Sequence, residues 1–116
     1  MPMSAAPPTA PEFPGFVAAR LPEIAALCRR CGVRRLDLFG SAVTGRFDPA
    51  RSDLDFLVEF DERPADRRPS PYFRLLEALE ALFQRKVDLV SRRALENPYR
   101  RWRIESEKQN LFQAPP

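Results

Sequence analysis

Histidine is absent from the 116-residue sequence and cysteine occurs only twice, which limits its metal and redox chemistry. Structural zinc takes four ligands, and Cys28 and Cys31 cannot supply them. A complete zinc site within one chain is therefore excluded. A redox-active pair belongs at the start of a helix, where the dipole lowers the thiol pKa, whereas this Cys-x-x-C ends one. We predict that both cysteines are small apolar residues on a buried helix face.

Long apolar runs are also missing. No stretch approaches the roughly 20 apolar residues of a membrane span, and residues 1–14 lack the basic start and apolar stretch of a secretory signal. We therefore expect a cytoplasmic protein. A chain of 116 residues has room for one domain but not for a second that recognises an elaborate acceptor, so a large acceptor must be a separate partner.

Positive charge is present but is not concentrated. The net charge is +3, and arginines are scattered as pairs such as Arg29-Arg30 and Arg92-Arg93 rather than forming a stripe. Arginine, alanine and proline are all abundant, a composition that a GC-rich coding sequence produces without functional demand. Nucleic acid is therefore not expected to be the main partner.

Local patterns divide the chain into one domain and two tails. The proline-rich residues 1–14 predict a disordered tail, residues 15–112 a folded domain and residues 113–116 a C-terminal tail. Apolar periodicity, glycine and proline define the elements of the domain. In chain order these are a helix from Phe16 to Gly32, strands at 33–39 and 53–60, a loop at 61–69, a helix after Ser70-Pro71, a strand at 86–91, and a last helix from Asn97-Pro98 that includes Tyr99, Trp102, Ile104 and Leu111.

The strand at 53–60 predicts the architecture because its two faces differ. Leu54, Phe56, Val58 and Phe60 alternate on one face. We expect helices to pack on this apolar face of a small mixed sheet of at least three strands, leaving the opposite face open as the active site. The fold class is α/β.

Three aspartates are candidates for metal chemistry. Asp53 and Asp55 are two residues apart on one strand, so their carboxylates share a face and can share a metal. Oxygen ligands that leave room for substrate phosphates favour Mg²⁺ and a nucleotide. If the strand at 86–91 pairs beside the strand at 53–60, Asp88 could complete a two-metal site or accept the proton of an attacking hydroxyl. Otherwise it is a solvated carboxylate at a strand end.

The Gly40-Ser41 turn supplies the complementary half of the candidate site. A glycine that leaves a strand allows close approach of backbone to phosphate, and the helix start that follows offers free N–H groups. Ser41 adds a hydroxyl donor. A lone Gly-Ser is also an ordinary turn, so its value comes from its place between a strand and the Asp-x-Asp segment.

These segments together resemble a known family. Leu38-Phe39-Gly40-Ser41, then 51–58 with Asp53 and Asp55, then 86–90 with Asp88, resemble the minimal nucleotidyltransferases of the DNA polymerase beta superfamily. Within it the chain is most similar to the MNT-type antitoxins encoded beside HEPN-domain toxins.

The resemblance implies a polymerase beta-like nucleotidyltransferase fold for residues 15–112 and a role for each motif residue. Gly40 and Ser41 would contact the triphosphate of ATP, Asp53 and Asp55 would bind Mg²⁺, and Asp88 would be the third carboxylate. It also implies transfer of AMP to a tyrosine hydroxyl of a partner HEPN-type toxin, with release of pyrophosphate and silencing of the toxin. The family commonly has arginine three residues after its serine, where this sequence has Thr44, with Arg46 two positions later.

Two other functions remain open. An antitoxin with a vestigial site could neutralise its partner sterically, without catalysis. Transfer to a small molecule such as an aminoglycoside normally uses an extra helical domain that this chain lacks.

Three further residues have two possible interpretations. Asp37 could be a fourth catalytic carboxylate, although a solvated surface charge is favoured. Tyr99 and Trp102 could stack on adenine, although packing into a core is favoured because aromatics at helical spacing are more often packed.

Overall fold

A computed structural model of the chain describes residues 13–61 and 70–115, so most of the tail predicted at 1–14 and of the loop predicted at 61–69 lies outside the described residues. None of the helices in the described ranges has the length and apolarity needed to cross a bilayer. The elements in chain order are α1 (Gly15–Ala18), α2 (Leu21–Cys31), β1 (Val33–Phe39), α3 (Ser41–Thr44), β2 (Leu54–Phe60), α4 (Pro71–Phe83), β3 (Val87–Ser91), a 3₁₀ turn (Arg92–Ala94), α5 (Pro98–Glu107) and β4 (Gln109–Gln113).

The strands form one mixed sheet in the order β3-β2-β1-β4. β1 is antiparallel to β2 and to β4, whereas β2 and β3 are parallel. A parallel pair needs a crossover connection, and α4 provides it. α4 is also tied to β3, because the Tyr72 hydroxyl donates a hydrogen bond to the Leu89 carbonyl. The predicted α/β class is confirmed, with one strand more than the three recognised in the sequence.

The main core lies between one face of the sheet and helices α2 and α4. The apolar face predicted for β2 is at its centre: Leu54, Phe56 and Val58 are buried, and Phe60 packs against them. Their helical partners are fully buried residues, namely Ile24, Cys28, Leu75 and Leu79.

The two cysteines belong to this core, as predicted. Cys28 and Cys31 are both buried and both free. Burial, and to a smaller extent the neighbouring Cys31, raises the pKa of the Cys28 thiol to about 12. A thiol that stays protonated is a poor nucleophile and a poor metal ligand, so this pair is structural.

The opposite face of the sheet is not open along its whole length, which corrects the expectation from the sequence. Phe39 and Leu57 project from this face and form a second, smaller core with Leu95 and Ile104. Ile104 belongs to α5, so this helix covers the middle of the face. Apolar strand side chains pointing away from the main core need such a cover. Asp55 and Asp88 lie on the same face beside this core, at one end of β2.

The fourth strand corrects the extent of the predicted last helix. α5 ends at Glu107, and β4 pairs with β1, Leu36 facing Phe112. Leu111 therefore lies in a strand rather than in the last helix, and the strand extends to Gln113. β1 would otherwise be an edge strand with unpaired backbone groups, and β4 satisfies them.

Candidate active site

Strand pairing brings two of the predicted carboxylates together. β2 and β3 are parallel neighbours, and Asp55 lies directly beside Asp88 in their register. Adjacent strands are about 4.8 Å apart, and paired residues project from the same face. Asp53 immediately precedes β2. The condition placed on Asp88 by the sequence, that its strand adjoin the strand of Asp55, is met.

The electrostatics of Asp55 show that the carboxylates interact. The pKa of Asp55 is raised to about 6. Burial is the largest cause, followed by the charges of Asp88 and Asp53. Arg100 opposes the shift and Glu107 adds to it. The cluster therefore concentrates negative charge at one end of β2, where a cation would relieve the repulsion.

The donor set suits Mg²⁺ when nucleotide phosphates complete the coordination. Magnesium is commonly held by one or two carboxylates, with water and substrate phosphate oxygens in the remaining positions. Across residues 13–61 and 70–115, no three acidic or cysteine side chains are already gathered as a metal site.

Gly40 packs against the cluster in a conformation that requires glycine. Its φ of 78° and ψ of −150° lie in a region that residues with a side chain rarely adopt. A Cβ atom placed on Gly40 would overlap the Asp55 carboxylate. Ser41, the other predicted contact, begins α3 directly after this turn. The turn and the Asp-x-Asp segment are therefore in contact, although eleven positions of sequence, 42–52, separate Ser41 from Asp53.

Helix α5 contributes two residues that the sequence did not reveal as part of the site. The Arg100 guanidinium lies 3.8 Å from the Asp88 carboxylate, and both side chains are about half exposed. The Gly40 N–H donates a hydrogen bond of 2.7 Å to the Glu107 carboxylate. Arg100 and Glu107 are seven residues apart, which places them on one edge of a helix. The seven-residue spacing is visible in the sequence, but the sheet topology is needed to show that these side chains reach Asp88 and Gly40.

Arg85 is a third residue missed in the sequence, and it holds the loop before Asp53. Its guanidinium donates to the carbonyls of Pro49 and Ser52 at 3.3 and 3.0 Å. It also lies over the rings of Phe16 and Phe47, at 5.4 and 4.9 Å from their centroids. These contacts fix the backbone from which the Asp-x-Asp segment begins.

Asp37 is buried, not solvated as the sequence favoured. Only 1% of its side chain is exposed, because β4 and the end of α5 cover it. Arg35 Nε lies 3.1 Å from its carboxylate, Lys108 Nζ 3.3 Å, and Asn110 donates to it at 2.9 Å. These contacts join β1, β4 and the end of α5, so Asp37 is structural and not a fourth catalytic carboxylate.

The aromatic pair on α5 also differs from the expectation. Tyr99 is 82% exposed and Trp102 is 73% exposed, so neither packs into the core. The second core is filled instead by Leu95 and Ile104. Thr44 and Arg46 are both exposed beyond the Gly40-Ser41 turn, and a phosphate contact from Arg46 stays a prediction.

The raised pKa of Asp55 makes a testable statement about stability. The folded pKa exceeds the unfolded one, so the cost of ionising Asp55 in the fold is absent below pH 4, grows between about 4 and 6, and is complete above 6. We therefore expect Asp55→Asn to increase the free energy of unfolding by about 1 to 3 kcal/mol at pH 7.5, and much less at pH 4.5.

Urea unfolding with a chelator present, at both pH values, measures this effect. Glu77→Gln is the control, since Glu77 is an exposed carboxylate of α4. A loss of stability in Asp55→Asn at pH 7.5 would contradict the repulsion argument.

Comparison with known proteins assigns the chain to a family. Residues 24–111 match the model of the nucleotidyltransferase domain. The protein adenylyltransferase MntA of Thermococcus cleftensis is 41% identical over 71 residues, which are 61% of this chain and 68% of that protein. The chain therefore belongs to the nucleotidyltransferase domain family.

Two solved structures share its fold. One is a protein assigned as a minimal nucleotidyltransferase. It is 37% identical, with a TM-score of 0.67, and the match covers 82% of this chain and 92% of that one. The other is a complex of a tri-AMPylated Shewanella oneidensis HEPN toxin with its MNT antitoxin. The matched chain is 19% identical, with a TM-score of 0.58 over 84% of this chain and 73% of that one, and shares the fold. The chain is a minimal nucleotidyltransferase.

Proposed function

We propose that this chain transfers AMP from ATP to the hydroxyl group of a tyrosine in a HEPN-domain partner. The transfer takes place in the cytoplasm, and through it the chain acts as an antitoxin. The observation that carries the proposal is the close packing of Gly40 against the Asp55 carboxylate, which lies beside Asp88 in the sheet. The T. cleftensis relative is named a protein adenylyltransferase, and the AMPylated HEPN toxin lies in a complex with an antitoxin of the same fold.

Each site residue has a proposed role in the transfer. Asp53 and Asp55 would hold Mg²⁺ together with Asp88, and the ion would neutralise charge on the phosphates. Gly40 and Ser41 would hold the triphosphate close to Asp55. The acceptor oxygen forms a bond to the α-phosphorus as the bond from that phosphorus to the bridging oxygen breaks, and pyrophosphate leaves. Asp88 is half exposed, so an incoming hydroxyl can reach it and give up its proton there, which is the alternative to a metal-ligand role.

A protein acceptor fits the surroundings of the site. Tyr99 and Trp102 are exposed on the helix whose Arg100 reaches Asp88. Aromatic and arginine side chains are enriched at protein interfaces.

The test is transfer of labelled AMP. We expect a HEPN-domain protein to be encoded beside this chain. Incubated with the purified chain, Mg²⁺ and ATP labelled at the α-phosphate, that protein gains the label, and its intact mass rises by whole AMP units. Fragmentation identifies the tyrosine. Label that appears on kanamycin but not on the partner, or on neither, overturns the proposal.

A further inference from the structure

Glu107 is the last residue of α5, and its side chain reaches the phosphate-binding turn. Its carboxylate accepts the 2.7 Å hydrogen bond from the Gly40 N–H, across 67 positions of sequence. The Glu107 side chain is only 19% exposed. Hydrogen bonds to an ionised group in a partly buried place are among the stronger ones in proteins.

The hydrogen bond between Gly40 and Glu107 continues the pairing of β1 with β4 past the first residue of β4. Leu38 of β1 faces Gln109, the first residue of β4. Gly40 is two residues after Leu38, and Glu107 is two residues before Gln109. The Glu107 side chain thus takes the place of a strand partner at a position where the chain still belongs to α5, before β4 begins.

The base of Glu107 is itself anchored. Lys108, the next residue, lies 3.3 Å from the buried Asp37 carboxylate and 2.8 Å from Glu105. Glu105 in turn lies 2.7 Å from Arg92. The ion pairs hold the junction of α5 and β4 in place, so a rigid support lies behind the carboxylate that holds Gly40.

We propose that Glu107 is a positioning residue for nucleotide binding, which fixes the Gly40-Ser41 turn against Asp55. The turn and the Asp55 carboxylate are so close that a Cβ atom does not fit between them. A turn released from Glu107 changes the spacing between the phosphate contacts and the metal carboxylates. Displacements of about 1 Å in such a site can lower the rate about 100-fold. The inference rests on the proposed function for its role in AMP transfer.

Two variants separate hydrogen bonding from charge. Glu107→Gln keeps an oxygen that accepts from Gly40, and Glu107→Ala removes the acceptor. Glu23→Ala is the control, because it also removes a carboxylate from an ion pair, the exposed pair with Arg20 at the start of α2, without touching the turn or its support. The measurements are the Gly40 amide resonance of the metal-free protein, binding of AMP-PNP with Mg²⁺ by calorimetry, and kcat and KM for ATP in AMP transfer.

In Glu107→Ala we expect the Gly40 amide proton to move upfield, and the affinity for AMP-PNP to fall about 10- to 100-fold, with a matching rise in KM for ATP. Glu107→Gln is expected to stay within about threefold of the original protein, and so is Glu23→Ala, because an exposed ion pair contributes little.

Three results would overturn the proposal. If the Gly40 resonance does not move in Glu107→Ala, the hydrogen bond on which the proposal rests is not formed in solution. Equal losses in the Gln and Ala variants assign the effect to charge. Tighter AMP-PNP binding in Glu107→Ala shows that the carboxylate obstructs the phosphates. The resonance and the binding need no acceptor, so the absence of AMP transfer by the unaltered chain overturns the proposed function alone.

Discussion

Replacement of Asp53 and Asp55 together by asparagine is expected to lower AMP transfer at least about 1,000-fold while the chain stays folded. Both carboxylates are expected to hold Mg²⁺, and electrostatic stabilisation of the transferring phosphoryl group is the largest contribution to such reactions. Asparagine keeps the shape of each side chain but removes its charge. The fold does not need those charges, because Asp55 ionises against burial and against two neighbouring carboxylates.

The same strand provides a control with the same spacing. Glu59 and Asp61 are also two residues apart, at the far end of β2, and Asp61 lies about 20 Å from Asp55 at strand rise. Glu59→Gln with Asp61→Asn changes the charge equally without reaching the site. We expect this control to transfer AMP within about threefold of the original chain, measured by label on the partner and by the mass of the partner.

The double variant also separates catalysis from steric neutralisation. Cells that express the toxin with the Asp53→Asn, Asp55→Asn chain are expected to stop growing, whereas cells with the Glu59 and Asp61 control grow. Growth with the double variant, and a partner whose mass does not rise, would mean that binding alone silences the toxin.

The residues that the sequence did reveal are those whose geometry is local. Asp53 and Asp55 share a face because a strand has a period of two, and Gly40-Ser41 follows a strand within one segment. Asp88 needed one further fact, the parallel pairing of β2 with β3. An amphipathic helix between two strands makes that pairing a reasonable expectation, since right-handed crossovers of this kind are the rule.

The residues that the sequence concealed depend on β4 and α5. β4 is a short strand of five residues at the edge of the sheet, and it follows α5 after a single residue. Its pairing with β1 uses backbone groups, which leave no side-chain pattern. Without β4 there is no reason to bury Asp37 or to bring Glu107 to Gly40. The burial of Tyr99 and Trp102 was predicted wrongly for a related reason. Helical spacing shows which residues share a face of the helix, but not whether that face contacts the core or the solvent.

Gly40→Ala is expected to lower AMP transfer at least about 100-fold and to destabilise the fold by about 1 to 3 kcal/mol. Two independent costs contribute. Alanine strains the backbone at a φ of 78° and a ψ of −150°, which belongs to a region used almost only by glycine. Its Cβ also overlaps the Asp55 carboxylate, so that the metal ligand or the turn must move.

Gly45 offers a control that has a positive φ without the overlap. Its φ is also 78°, with a ψ of 10°, and a Cβ placed there meets nothing within 4 Å. We expect Gly45→Ala to cost about 1 kcal/mol in urea unfolding and to keep AMP transfer within about threefold. Equal losses of activity in the two variants would assign the effect to strain in α3 and not to contact with Asp55.

A double-mutant cycle divides the cost of Gly40→Ala into its two parts. In an Asp55→Ala background the carboxylate is gone, so the overlap with it disappears, while the 3.3 Å contact to the Cβ of residue 55 and the backbone strain remain. The destabilisation by Gly40→Ala is then expected to fall toward the value for Gly45→Ala, and the difference between the two backgrounds is the energy of the contact between turn and carboxylate. An unchanged destabilisation means that backbone strain alone requires glycine at position 40, and that the turn tolerates a displaced Asp55.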